Sequence, residues 1–247
     1  MIMEIIIDRK LFLSKFLIPV SKFTDQAILS LNKDFMDCIS TTTNDKQSII
    51  LYTKLIVKTD MTEDNIKLNI GSLKKLINAL NCITEDIIKL NIEKNHIAYN
   101  SPETNFKFHL KEDGTVEKPS ISLDKINSIV GDTDIIISSE RLDELLKASS
   151  FSTDSEKVYL TLKDNILIGE LTDKTIQNLD SMNIILTKEV TGFQFTDSVA
   201  LKLDIFKLIS SLKFDKLLIK CTKKGVLVFE IKDDNYLMKY ITSSLIK

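Results

Sequence analysis

Glycine and proline are scarce in this chain, six and three residues among 247, and tryptophan is absent. So few chain-breaking residues exclude collagen-like and low-complexity architectures and leave regular elements joined by short turns. The three cysteines, Cys38, Cys82 and Cys221, are odd in number, far apart and form no CxxC pair. That pattern excludes a disulfide framework and a zinc knuckle and fits reduced, buried thiols. No run approaches the roughly 18 consecutive apolar residues of a membrane-crossing helix, and the apolar run in MIMEIIIDRK is too short for a secretory leader. An intracellular protein with no membrane association is therefore expected.

Recognisable catalytic signatures are missing as well. Neither a GxGxxG nor a GxxxxGKS/T loop occurs, and GxSxG is absent. The two histidines, His96 and His109, have no HExxH or other ligand spacing and read as satisfied or solvent-facing. The acidic neighbours Glu112 and Asp113, Asp132 and Asp134, and Asp233 and Asp234 fall in predicted turns, where Asp serves the backbone. No catalytic residue, metal or cofactor is expected. Binding or scaffolding is the function class that remains, with one alternative left open: a two-domain α+β enzyme whose site assembles only in three dimensions.

What the chain does contain is alternation. Apolar and polar residues exchange at period two in Ala27 to Leu31, Ile87 to Ile92, Phe106 to Leu110, Val158 to Leu162, Leu217 to Cys221 and Val226 to Ile231. Turn signals at Lys94-Asn95, Asp164-Asn165 and Lys224-Gly225 join neighbouring runs into antiparallel hairpins. Only four segments carry helical periodicity, each after a predicted cap: Asp8 before Arg9 to Ile18, Ser72 before Leu73 to Asn81, Ser139 before Glu140 to Ser149, and Asp204 before Ile205 to Lys213. The order of elements repeats. Leu73-x-x-Leu76-Ile77-x-x-Leu80 matches Ile205-x-x-Leu208-Ile209-x-x-Leu212 position for position, and similar strands follow each. The fold class is α+β, two tandem copies of one fold with antiparallel sheets and four short helices. Residues 1–111 form the first copy, 112–133 a connector and 134–247 the second.

A net charge of -2 argues against a uniformly basic nucleic-acid binder. Its distribution is uneven. The helical segments Arg9 to Lys22, Leu73 to Asn81, Ser139 to Ser149 and Lys202 to Lys213 carry +4, +2, -1 and +2, a total of +7 that leaves -9 elsewhere. Helices sharing one basic side can track phosphates without reading bases.

In these stretches the chain resembles the sliding clamps of the proliferating-cell-nuclear-antigen type, and in particular those of T-even-like tailed phages. The likeness is clearest in Ser72 to Leu80, in Ser139 to Ser149 followed by Val158 to Ile168, and in the closing Asn235 to Ile241. It implies three subunits closing head to tail into a ring around duplex DNA, with the helices lining the hole. Arg9, Lys10, Lys15, Lys74, Lys75, Arg141, Lys147, Lys202, Lys207 and Lys213 would then contact phosphates without sequence preference; Lys22 falls beyond Pro19, which should end or kink the first helix. It implies a docking site for partner peptides at Leu123, Ile126, Ile129, Val130, Tyr240, Leu245 and Ile246, and ring closure by edge strands at Phe106 to Leu110 and Met182 to Leu186. The implied partners are a DNA polymerase and a clamp loader at replication forks, in host cytoplasm if the source is a phage. A clamp-like scaffold that forms hetero-oligomers is the third reading.

Overall fold

Thirteen residues in succession, Arg9 to Ser21, form the first helical stretch although Pro19 sits inside it. Asp8 opens it as read from the sequence, its carboxylate accepting from Leu11 N at 2.9 Å. The stretch has three parts: α1 (Arg9–Leu11), a π-helical part (Phe12–Leu17) and α2 (Ile18–Ser21). The widened turn delivers Pro19 to the first turn of α2, where a missing N–H is tolerated, so the helix continues past the residue expected to break it. Phe12, Leu13, Phe16 and Leu17 are buried, as their spacing predicts.

The computed structural model describes residues 3–44, 47–61, 65–151, 156–176, 180–192 and 197–245. The chain divides into two compact units, one of Met1–Thr42, Ile50–Ile126 and Lys232–Met238, the other of Thr43–Ile49, Asn127–Ile231 and Lys239–Lys247. Strands of the first half are β1 (Met3–Asp8), β2 (Ala27–Leu31), β3 (Phe35–Asn44), β4 (Gln47–Ile56), β5 (Lys58–Thr59), β6 (Ile66–Ile70), β7 (Ile87–Glu93), β8 (His96–Asn100) and β9 (Asn105–His109). They lie side by side as β5-β1-β7-β8-β9 and as β4-β3-β2-β6. Helix α3 (Leu73–Asn81) enters from Ser72, whose hydroxyl accepts from Lys75 N, and Asp25 adds a second cap by accepting from Lys74 N at 3.0 Å. Its Leu73, Leu76 and Leu80 are buried.

The second half repeats this plan. A short helix, α4 (Leu123–Asn127), lies in the predicted connector. Then come β10 (Thr133–Ser138), α5 (Ser139–Ala148), β11 (Lys157–Lys163), β12 (Ile166–Leu171), β13 (Met182–Thr187), β14 (Val190–Gly192), β15 (Val199–Lys202), α6 (Leu203–Ser210), β16 (Lys216–Cys221), β17 (Val226–Lys232) and β18 (Tyr236–Ser243). Their neighbours run β14-β10-β16-β17-β18 and β13-β12-β11-β15, the same two orders in the same roles. Register repeats too. Asp8 ends β1 opposite Ile87, and Ser138 ends β10 opposite Lys216, each residue also capping the helix that follows. Antiparallel sheets with few short helices are thus what the fold contains.

Two caps differ from the sequence reading. Helix α5 is capped by Ser138 rather than Ser139, because the second serine already has helical geometry; Ser138 accepts from Arg141 N. Helix α6 begins one residue before Asp204 with Lys202 at the cap and no side-chain cap bond, so Asp204 lies in the first turn and serves the helix dipole instead. Its apolar face carries Phe206, set edge-on to Phe229 at 5.6 Å. Turn chemistry follows the sequence: Asp164 and Asn165 both take positive φ between β11 and β12.

Candidate nucleic-acid interface and docking surfaces

The helices position most of the cations proposed for DNA. Lys10, Lys74, Lys75, Arg141, Lys147, Lys207 and Lys213 are exposed, and Arg9, Lys15 and Lys202 are half-buried. Several are committed to neighbours. Lys10 pairs with Asp86 at 2.8 Å, which holds the Asp86 carboxyl below its ordinary range, and Arg9 Nε donates to the Glu85 carbonyl at 2.7 Å. Lys15 Nζ stands 5.0 Å over the Tyr236 ring. Arg141 pairs with Glu144 and Lys207 with Asp204, each one turn along its own helix. Lys74 and Lys75 have no ion pair among the described residues. Lys22 ends α2 and partial burial lowers its pKa.

The two strands read as subunit edges are edges. Among the described residues β9 pairs with β8 alone and β13 with β12 alone. Along β9, Phe106 and Phe108 are half-buried between exposed residues, and on β13 Met182 and Ile185 are 37% and 49% exposed. Unpaired strand edges with exposed apolar side chains invite another strand. His96, opposite His109 on β8 and β9, is buried and satisfied: Nδ1 lies 2.8 Å from Asn95 Oδ1 and Nε2 3.2 Å from Glu93 Oε1.

The proposed docking residues are dispersed in burial. Ile126 on α4 is 1% exposed and Tyr240 on β18 is also 1% exposed, its phenol pKa raised by that burial. Leu123, Ile129 and Leu245 are half-buried, and Val130 is 78% exposed. Leu245 N donates to the Ala200 carbonyl at 2.9 Å. Ile246 lies outside the described residues.

One feature escaped the sequence reading. A cleft of about 870 Å³ opens in the first unit over the outward face of β2, β3 and β6, with Asp113 and Leu123 of the connector at its side. Its floor is polar. Lys67 Nζ donates to Ser30 Oγ at 2.7 Å, Asn69 Nδ2 donates to Asp113 Oδ1 at 2.7 Å, and burial raises the Asp37 carboxyl pKa. The signal was present as polar residues at every second position, Ser30 with Asn32 and Lys67 with Asn69. Among the described residues no cluster of His, Cys, Asp or Glu could hold a metal, and no helix is long and apolar enough to cross a membrane.

Solved structures of the same shape decide what this duplicated plan is. A structure described as the C-terminal region of FEN-1 bound to A. fulgidus PCNA matches at TM-score 0.75 with 14% identity, covering 99% of each chain. The PCNA of Thermococcus kodakaraensis matches at 0.74 with 16% identity over 98% of this chain and 99% of that one. The chain has the sliding-clamp fold. The Proliferating Cellular Nuclear Antigen of Entamoeba histolytica matches this chain at 0.68 with 14% identity, over 98% of both. No protein-family model and no curated protein sequence matches it. The clamp fold is therefore carried by the spacing of apolar residues and caps, with little residue identity.

Proposed function

We propose that this clamp is a DNA polymerase processivity factor: three copies close around duplex DNA and tether polymerase and other replication proteins to it. The observation that carries the reading is the duplicated order of strands and helices, matched over 98–99% of the chain to clamps at TM-scores up to 0.75. In this reading residues 1–111 and 134–247 are the two clamp domains and 112–133 the connector. Tethering works by topology. Once a partner is attached to a ring that cannot leave the duplex, its rebinding is effectively intramolecular, so weak contacts give long residence. The protein itself acts as a scaffold and performs no chemistry.

Cations on the helices support the DNA contact. Arg9, Lys10, Lys15, Lys74, Lys75, Arg141, Lys147, Lys202, Lys207 and Lys213 would make loose, salt-sensitive phosphate contacts. The open edges of β9 and β13 support closure by strand addition between copies. Partner peptides would dock along the connector, where Leu123 borders the cleft, with Ile126, Ile129, Val130, Tyr240, Leu245 and Ile246 as further contacts. A clamp loader would open the closed assembly at a replication fork, and the likeness to tailed-phage clamps favours a viral replisome.

Light scattering across a concentration series, followed by retention on circular and linear DNA, tests the reading. A mass near three chains, with the loaded protein held on circular DNA but lost from linear DNA, is expected. A persistent monomer overturns the homotrimer and turns attention to unlike partner subunits; equal loss from both DNA forms overturns encirclement.

A further inference from the structure

We propose that the two helix pairs of the clamp are unequal toward DNA, and that duplex phosphates are held chiefly by Lys74 and Lys75 on α3. The inference rests on the DNA-encircling role proposed above and says which surface carries it.

The helical stretch Arg9 to Ser21 together with α3 holds five cations and no carboxylate: Arg9, Lys10, Lys15, Lys74 and Lys75. Helices α5 and α6 hold three cations, Arg141, Lys147 and Lys207, against four carboxylates, Glu140, Asp143, Glu144 and Asp204. With Lys202 and Lys213 flanking α6 the second pair is close to neutral, whereas the first is strongly positive. Phosphate attraction depends on local cation density within about one Debye length, so neighbouring carboxylates subtract directly from it.

Side-chain pairing sharpens the contrast. On α5 and α6, Arg141 and Lys207 already have carboxylate partners, and a phosphate must compete with a fixed charge one turn away. Glu140 and Asp143 are exposed and have no ion pair among the described residues, so they repel. In the first unit Lys10 is tied to Asp86 and Arg9 donates to a backbone carbonyl. Lys74 and Lys75 are both exposed, adjacent on the first turn of α3, and without an ion pair among the described residues; Lys147 on α5 is also exposed and without one, but it stands alone. The carboxylate beside them, Asp25, uses its oxygens on Lys74 N and the Ser72 hydroxyl. Asp25 keeps its charge, so two lysines stand beside one carboxylate, where α5 sets Lys147 on the same helix as Glu140, Asp143 and Glu144.

The test compares two charge-matched double variants, Lys74→Ala/Lys75→Ala on α3 and Lys147→Ala/Lys207→Ala on α5 and α6, in salt titrations with a fluorescein-labelled duplex. Light scattering and circular dichroism confirm that each keeps the wild-type mass and secondary structure. The α3 variant is expected to lose about tenfold or more in affinity at low salt and to flatten the slope of log K against log salt by up to about two for each subunit engaged. The α5 and α6 variant should lose clearly less, about threefold or under, since Lys207 already has a carboxylate partner and Lys147 stands among carboxylates on α5. An equal loss in both variants, or none in the α3 variant while the wild type binds, overturns the inequality alone. No salt-dependent binding by the wild type overturns the DNA reading together with it.

Discussion

The hydroxyl of Thr53 on β4 donates to the carbonyl oxygen of Lys15 at 3.1 Å, and that carbonyl lies four residues before Pro19. Proline has no N–H, so the usual helical donor to Lys15 is missing, and a side chain from a strand supplies one instead. Thr53 is fully buried. The bond ties β4 to the helix one turn before Pro19, beside the π-helical turn that brings the proline to the start of α2.

Replacing Thr53 by Val keeps the shape and removes the donor. The unpaired acceptor should cost about 1–3 kcal/mol in denaturant unfolding. In a Pro19→Ala background the helix can furnish its own N–H, so the same change should cost clearly less. A double-mutant cycle reads the difference; equal costs in both backgrounds would show that Thr53 and Pro19 are not coupled.

Ile185 on β13 predicts the assembly. It is 49% exposed in the single chain and sits on an open strand edge, so Ile185→Lys removes little from the core. A lysine at that edge opposes strand addition. The mass by light scattering should fall from three chains toward one at micromolar concentration, while the thermal transition of the isolated chain stays within a few degrees of wild type.

Much of this architecture was legible in the sequence. Apolar stripes located α3, and alternation located β2, β7, β11, β16 and β17, because each signal is local and its period is set by backbone geometry. The duplication was legible in the order of elements, but the position-for-position pairing of the helices was not: Leu203 N donates to the Glu156 carbonyl as Leu73 N does to that of Asp25, so α6 starts two residues earlier than that pairing implies, and Leu208 is half-buried where Leu76 is buried. What was not legible depends on distant residues. The bond from Thr53 to the helix before Pro19 joins residues 38 apart, and the cleft needs the connector residue Asp113 beside Asn69. The DNA-facing cations could be counted but not ranked, since their ranking rests on partners such as Asp86 for Lys10.

The thiols offer a solution check on burial. Cys38 and Cys221 are buried, and desolvation pushes their pKa values up to about 12 and about 11, whereas Cys82 at the end of α3 is exposed. Thiolate is the reactive form. Labelling with a disulfide reagent at pH 8 should therefore modify Cys38 and Cys221 only as fast as the protein unfolds, and Cys82→Ser should remove any faster phase. Rapid modification of two or three thiols in the native protein would contradict this core.

Asp173 sets an acid limit on the second unit. Its carboxylate accepts from Lys157 Nζ at 2.7 Å and from the Thr175 hydroxyl and amide, and these bonds hold its pKa at about 2. Unfolded, the group returns to its ordinary value near 3.9. The unfolded state therefore binds the proton first, and the stabilisation is complete above about pH 4 and disappears as pH falls through about 2. Lys157 is shifted upward by the same carboxylate, so its share is present below its ordinary pKa and is lost only in strong alkali. The pair is partly wet, which limits its worth to about 1 kcal/mol. Urea unfolding at pH 7 and at pH 2.5 should show Asp173→Asn destabilised by about that amount at the higher pH and by only about a third of it at the lower, where the folded carboxyl has begun to take up its proton. A deficit that persists unchanged at pH 2.5 would assign the effect to packing or to the Thr175 hydrogen bonds, which asparagine keeps only in part, and not to the charge on Asp173.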